Sequence, residues 1–291
     1  MDGVTWRVVG EVRVYGDEMG RTGNTRSWRV GLHDRDGLRE LMDVLATIES
    51  RGKLLDQVRG EVIRDQKAKT LMKFPMAESF YYLKVWWDSN IARVLKNLYR
   101  GSFRGVREAR GMLLLNEEGF KTPQLVAYGF ARFDWLSVHS YLITEEVREA
   151  NTLFSPVTCR DLSDRLKSIS ECVGAMHSRG VVFGDLHHNN VLVRRSDDKE
   201  EFYFLDPMGV KRSRHIGEKL SDIANFLYYA YESHCFENHG FAKIFLQGYY
   251  EATIRGKKDW MKYSHLERIV YTKINRKRRF RKLYRRLIDM G

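Results

Sequence analysis

Apolar and polar positions alternate along the first part of the chain. Trp6 and Val8, Val12 and Val14, then Trp28, Val30 and Leu32 stand between polar residues or glycine, which predicts strands over residues 5–15 and 27–32. Asp36 can cap a following helix whose apolar stripe is Leu38, Leu41, Leu45 and Ile48. Three short strands are expected next, from Val58 to Arg64, Thr70 to Phe74 and Phe80 to Trp86, the first two joined by the turn Asp65-Gln66-Lys67-Ala68-Lys69. A helix rich in Arg and Lys follows, then a second around residues 107–118. Gly119 and Pro123 break the pattern before strands at Gln124 to Gly129 and at 139–144.

From about Arg160 the period lengthens. Leu162, Leu166, Ile169, Val173 and Met176 recur at helical spacing and read as a buried helix. Two short strands, Val191 to Arg194 and Phe202 to Leu205, flank the polar turn Ser196-Asp197-Asp198-Lys199, and the remainder is mostly helical. Strands first and helices after predict an α+β protein in two lobes. The expected division is an extension of strands plus helix over residues 1–55, a sheet-rich lobe over 56–147 and a helical lobe over 148–291.

Composition narrows this picture only slightly. The chain has 291 residues, 43% apolar and 30% charged, ordinary for a soluble globular protein. No run of about 18 apolar residues occurs. The start, Met1-Asp2-Gly3-Val4-Thr5-Trp6, lacks the pattern of a signal peptide, so a cytoplasmic location is expected. Cys159, Cys172 and Cys235 fit neither a zinc spacing nor a disulfide framework and read as reduced thiols. The net charge of +12 does change the picture, because it asks for an anionic partner: a nucleotide, nucleic acid, phosphorylated glycolipid or membrane surface.

The densest chemistry lies at Gly184-Asp185-Leu186-His187-His188-Asn189-Asn190, followed by Phe204-Leu205-Asp206. A carboxylate stands five residues before an amide, and a second carboxylate follows an apolar strand. Phosphoryl transfer uses these groups: one carboxylate orients the attacking hydroxyl, while amide and carboxylate oxygens hold Mg²⁺, a hard cation.

This segment resembles the catalytic loop of the protein-kinase-like superfamily, D-L-x-x-x-N, in the G-D-L-H form of the lipopolysaccharide kinase family. The resemblance covers roughly residues 58–230. It implies a bilobal protein-kinase-like fold, with a sheet-rich N-lobe and a helical C-lobe, and use of ATP and Mg²⁺. It implies Asp185 as catalytic base and Asn190 and Asp206 as metal ligands. Tyr81-Tyr82-Leu83-Lys84-Val85 matches the strand of the ATP-binding lysine, and Glu108 its helical partner, chosen over Glu117 and Glu118. Thr144 stands as gatekeeper, Glu145 and Val147 as the hinge groups that meet adenine, and Asp222 as the buried carboxylate bracing the loop. The plainer alternatives are a snorkelling strand lysine at 84, a solvated helical charge at 108 and a helix N-terminal charge at 222.

Four departures bear on the acceptor. Phe183-Gly184 replaces His-Arg before the base, which removes the usual partner of an activation-loop phosphate. Asp206-Pro207-Met208-Gly209 replaces D-F-G, and Pro207 stiffens the segment. Fifteen residues separate Asp206 from Asp222, too few for a peptide platform. No glycine-rich loop joins the first two strands of the lobe; Lys67 and Lys69 stand there, read mainly as solvated lysines.

A sugar hydroxyl of the lipopolysaccharide inner core is therefore the expected acceptor. Two competitors remain: a kinase of a protein or small metabolite, and a non-catalytic nucleotide- or glycolipid-binding module. Arg93, Lys96, Arg100, Arg104 and Arg107 are candidates for holding acceptor phosphates. Residues 273–286 carry nine basic side chains in fourteen, with Phe280, Leu283, Tyr284 and Leu287 on one helical face. Such a helix suits an anionic membrane surface, which would make the protein peripheral on the inner face of the inner membrane, or else packs on the second lobe. Nucleic acid is the weakest partner, since no nucleic-acid motif accompanies the charge.

Overall fold

The computed structural model describes residues 26–29, 41, 45, 51–66, 68–76, 78–88, 92, 94–95, 97, 103–132, 138–155, 162–196, 199–232, 240–254 and 263–289. It divides into two compact units, one of Met1–Leu113 with Pro123–Val147, the other of Leu114–Thr122 with Arg148–Gly291. The predicted strand at 5–15, the cap Asp36 and positions Leu38 and Ile48 lie outside the described residues.

The first unit holds a six-stranded sheet built from β1 (Arg26–Arg29), β2 (Glu61–Gln66), β3 (Lys69–Met76), β4 (Ser79–Asp88), β5 (Leu125–Arg132) and β6 (Val138–Glu145). The strand order is β1-β5-β6-β4-β3-β2, and every pair is antiparallel. Alternation along β4 sorts its side chains. Tyr81, Leu83 and Val85 face a core shared with Leu41, Leu45, Leu54 and Val58. Trp86, from the other face, packs with Leu142 and with Ala109 and Met112 of helix α2 (Arg104–Glu117).

Val58, expected to open the first strand of the lobe, instead follows helix α1 (Arg51–Gln57), its N–H bonded to the Leu54 carbonyl at 2.9 Å. Leu54 and Val58 are one helical turn apart on a buried stripe, so burial of that stripe prevails over strand propensity. Of the first 55 residues, β1 pairs with β5, and the helical positions Leu41 and Leu45 are buried in the core beneath the sheet.

The second unit is mostly helical: α3 (Leu162–Ser178), α4 (Ile216–Glu232), α5 (Gly240–Ile254) and α6 (Tyr263–Asp289). The stripe of α3 lands as its spacing predicts, with Leu166, Ile169, Val173 and Met176 buried. Strands β7 (Ala150–Thr152), β9 (Val191–Ser196) and β10 (Lys199–Phe204) form a sheet in the order β10-β9-β7, while β8 (Val181–Val182) pairs with β11 (Lys211–Arg212). Strands of two or three residues are too short to show a period, which is why β7, β8 and β11 left no sequence signal. The mixed α+β architecture, antiparallel sheet in the N-terminal part and helices in the C-terminal part, matches expectation.

Candidate active site

In the first unit the same alternation sets the polar side chains. β4 places Lys84 opposite Leu71 of β3 and Leu142 of β6. Lys84 Nζ donates to Glu108 Oε1 at 2.6 Å, and Glu108 is 1% exposed. Neither Glu117 nor Glu118 competes, because both pair with Arg212 in the second unit. Thr144 is buried near the end of β6 and sits opposite Tyr82. Glu145 closes the ladder opposite Tyr81; its N–H bonds the Gln124 carbonyl at 2.9 Å, and Glu146 N–H bonds the Phe80 carbonyl at 2.8 Å. Val147 lies past the end of the strand.

A cluster that sequence reasoning missed stands on the Lys84 face of the sheet. Lys73 is opposite Tyr82 in the ladder, and both bond Glu146 Oε1: the ammonium at 2.6 Å, the phenol at 3.1 Å. The hydrogen bond to Glu146 holds the Lys73 ammonium above the usual lysine range. Its signal is a register, which no spacing along one strand reveals.

In the second unit Asp185 is exposed, on a loop between β8 and the 3₁₀ turn His188–Asn190. Buried Leu186 pins the loop to the core. Asn190 is buried; its Nδ2 donates to the Asp185 carbonyl at 3.3 Å, and its own carbonyl accepts from Leu205 N–H at 2.8 Å, next to Asp206. Asp206 has φ +51°, a left-handed conformation uncommon for a residue other than glycine. Strain of this kind costs about 1 kcal/mol or more and marks a carboxylate held where its neighbours require it.

Asp222 is 1% exposed, and three donors meet it. Phe183 N–H bonds Oδ2 at 2.6 Å, Gly184 N–H bonds Oδ1 at 2.8 Å, and His177 Nε2 lies 3.3 Å from Oδ2. A carboxylate only accepts, so His177 carries its proton on Nε2 and Nδ1 accepts from the Tyr249 hydroxyl at 2.9 Å. Burial pushes His177 below the usual imidazole range, against the opposing pull of Asp222. His177 and Tyr249 were missed as well. His177 extends the buried stripe of α3, whereas nothing in the sequence singles out Tyr249.

Gly184 has φ +86°, and a Cβ there would lie 2.7 Å from the Gly209 carbonyl oxygen. Only glycine fits, which explains why the residue before Asp185 is no arginine. His188 packs at a tilt against Phe154 with ring centroids 5.3 Å apart, and its buried Nδ1 has no hydrogen-bond partner among the described residues. Burial pushes the His188 imidazole down to about 4. His187 is half-buried against Tyr229 at 5.1 Å; burial lowers its pKa, and the charges of Asp185 and Asp206 oppose that shift.

The donor set suits Mg²⁺. Asn190 uses Nδ2 on the protein, which turns Oδ1 away as an oxygen donor, and Asp206 is a half-exposed carboxylate. Among the described residues no three His, Cys, Asp or Glu gather as a transition-metal site would require.

Of the basic candidates, Arg104 and Arg107 are half-buried on α2, and Arg93, Lys96 and Arg100 lie outside the described residues, as does Lys67. Lys69 Nζ rests 5.5 Å from the Trp86 ring centre. Burial pushes the Cys172 thiol up to about 12, while Cys159 and Cys235 are outside the description. Among the described residues no helix is long and apolar enough to cross a membrane. The side chains of Phe280, Leu283, Tyr284 and Leu287 also lie outside the description.

An antiparallel sheet bearing a buried lysine–glutamate pair, and a helical unit bearing a carboxylate loop braced from behind, define a protein-kinase-like enzyme. Residues 54–225 match the family model of the lipopolysaccharide kinase (Kdo/WaaP) family, more than half of the chain, and the chain belongs to that family. It is a kinase of lipopolysaccharide. Among solved structures, WaaP in complex with acyl carrier protein is similar at TM-score 0.56 and 18% identity, covering 81% of this chain and 96% of that one, a likeness of fold. The Rio2 kinase–ADP/Mg²⁺–phosphoaspartate complex from Chaetomium thermophilum matches at TM-score 0.44 and 13% identity, covering 94% and 82%. No curated protein matches the chain.

Proposed function

We propose that the chain transfers the γ-phosphoryl group of ATP to a sugar hydroxyl of the lipopolysaccharide inner core. The observation that carries this reading is the braced loop: Asp222 holds the N–H groups of Phe183 and Gly184, and Asp185 follows them into solvent. In this mechanism Asp185 orients the acceptor hydroxyl and takes its proton. The hydroxyl oxygen bonds to the γ-phosphorus as the bond to the bridging oxygen breaks, and ADP leaves. Asn190 and Asp206 would hold Mg²⁺, which neutralises charge on the phosphates when bound. Lys84, fixed by Glu108, is the cation that neutralises phosphate charge of ATP. Thr144 bounds the adenine site, and the main-chain groups of Glu145 and Val147 bind the base.

Two features favour a sugar over a peptide: the fifteen residues between Asp206 and Asp222 leave no platform for a peptide, and the family acts on lipopolysaccharide. A glycolipid acceptor also sets the enzyme to work at the inner face of the inner membrane, as a peripheral protein.

The test is transfer from labelled ATP with Mg²⁺ to dephosphorylated lipopolysaccharide core, beside a generic protein substrate. Label is expected on the glycolipid alone and is lost in Asp185→Ala and Asp206→Ala. Label on protein alone moves the chain to the protein kinases, and ATP binding without transfer makes it a non-catalytic module.

A further inference from the structure

Helix α4 is buried almost throughout, and its exception sits beside the catalytic loop. From Asp222 to Ala230 every residue is buried except Tyr229. The ring of Tyr229 packs 5.1 Å from that of His187, two residues after Asp185. The helix that bears the brace Asp222 thus surfaces two turns later against the loop it braces.

His187 differs from its neighbours. Leu186 is buried in the core and His188 against Phe154, whereas His187 keeps contact with solvent. Its ring nitrogens have no hydrogen-bond partner among the described residues, and the charges of Asp185 and Asp206 both act on it. The imidazole therefore lies near the two carboxylates and is open to a further bond.

A cation completes the group. Lys277 Nζ lies 5.6 Å from the Tyr229 ring centre and donates to Asn225 Oδ1, one turn before Tyr229 on α4. Lys277 is half-buried. Its place is fixed by the buried stripe Leu266, Val270 and Ile274 of α6. Lys273 adds to this, since its Nζ donates to the Gly217 carbonyl at 3.3 Å and to Ser221 Oγ at 3.0 Å, both on α4.

Most of α4 packs in the apolar core of the second unit, whereas the Tyr229 ring is flanked by an imidazole and an ammonium. A wall with an apolar face and hydrogen-bonding groups at its edge suits a sugar, which has C–H groups on its faces and hydroxyls around its rim. Steps of 5.1 Å from imidazole to phenol ring and 5.6 Å from ring to ammonium match the span of a single sugar ring with an anionic substituent.

We propose that His187, Tyr229 and Lys277 form the acceptor subsite. Tyr229 packs against the C–H face of the acceptor sugar. His187 hydrogen-bonds a hydroxyl next to the one offered to Asp185, and Lys277 meets a phosphate or carboxylate on the same sugar. This rests on the phosphotransfer reading above and adds which residues recognise the acceptor.

The experiment uses the full-length protein with delipidated lipopolysaccharide core oligosaccharide, first in equilibrium binding and then as acceptor. Tyr229→Leu keeps bulk but removes the ring; it raises the dissociation constant and the acceptor KM about five- to tenfold and leaves the ATP KM unchanged. Tyr229→Phe retains most of the affinity. His187→Ala raises the acceptor KM in the same way, and His187→Gln recovers part of the loss. Lys277→Met weakens binding and flattens its salt dependence between about 50 and about 300 mM. That last defect vanishes with dephosphorylated oligosaccharide if phosphate is the group Lys277 meets, and persists if it is carboxylate.

Wild-type oligosaccharide affinity in Tyr229→Leu overturns the proposal. So does an equal rise in the ATP KM, which shows a loosened loop in place of a lost acceptor contact. Oligosaccharide binding by the wild type without phosphate transfer sinks the phosphotransfer reading and leaves the subsite standing. Failure of the wild type both to bind the oligosaccharide and to phosphorylate it overturns both. If Tyr229→Leu melts without cooperativity, His187→Ala takes its place with the same outcomes.

Discussion

Asp222 shows how one carboxylate organises a reactive segment. It accepts from two adjacent backbone N–H groups and from His177 while almost wholly removed from water. An asparagine in its place offers one oxygen and one N–H₂ group, so a donor would face a donor. Asp222→Asn is expected to cost about 2–4 kcal/mol in urea unfolding and to lower kcat more than KM. Lys84→Met makes a different prediction, because it leaves Glu108 charged and buried beside a methionine. It should lower kcat/KM by roughly two orders of magnitude and also destabilise the fold by about 1–3 kcal/mol; Lys84→Met/Glu108→Gln should recover the stability without the activity, as thermal melting and transfer assays would report. At this scale the sequence singled out Asp185, Asn190 and Lys84 through the residue types of a motif, and the transfer assays test the roles it implies. It was silent on Tyr249 and on the Lys73–Tyr82–Glu146 cluster, whose partners are set by folding geometry far along the chain.

Among elements, β6 is tied to the helical positions before it through one imidazole. His139, 1% exposed, bonds the Leu45 carbonyl through Nε2 at 2.9 Å, and burial pushes its pKa down from 6.5 to about 4. A depressed histidine is neutral in the fold while the unfolded chain still takes a proton. Its contribution is therefore complete above about pH 6.5 and is lost progressively as pH falls towards 4. Urea unfolding at pH 5 against pH 7 should show a loss of about 2 kcal/mol from this group, and His139→Gln should flatten that dependence. Elements of five or more residues with a clean period were legible: β4, β6, α3 and the buried stripe of α3 all fall where alternation or helical spacing puts them. Val58 was misread because a single valine two residues before a glycine serves a strand and a helix end equally well, and only the position of Leu54 one turn earlier decides.

At the scale of the whole molecule, the α+β division was visible as strands followed by helices, yet the units are not contiguous segments. Leu114–Thr122, the last turn of α2 with the short connection after it, belongs with the C-terminal unit, where Phe204 N–H bonds the Lys121 carbonyl at 2.9 Å. Such an exchange results from long-range pairing and leaves no local trace. The sequence located nine of the cations at 273–286 and left open whether they meet a membrane or pack on the second lobe; the structure shows that α6 begins in the core, with Leu266, Val270 and Ile274 buried there. The contact of Gly184 with Gly209 has a wider consequence. The segments before Asp185 and after Asp206 lie back to back, with no side chain between them and Pro207 limiting one of them. Neither can swing aside without parting that seam, so a switch made by displacing the segment after Asp206 would have to break it.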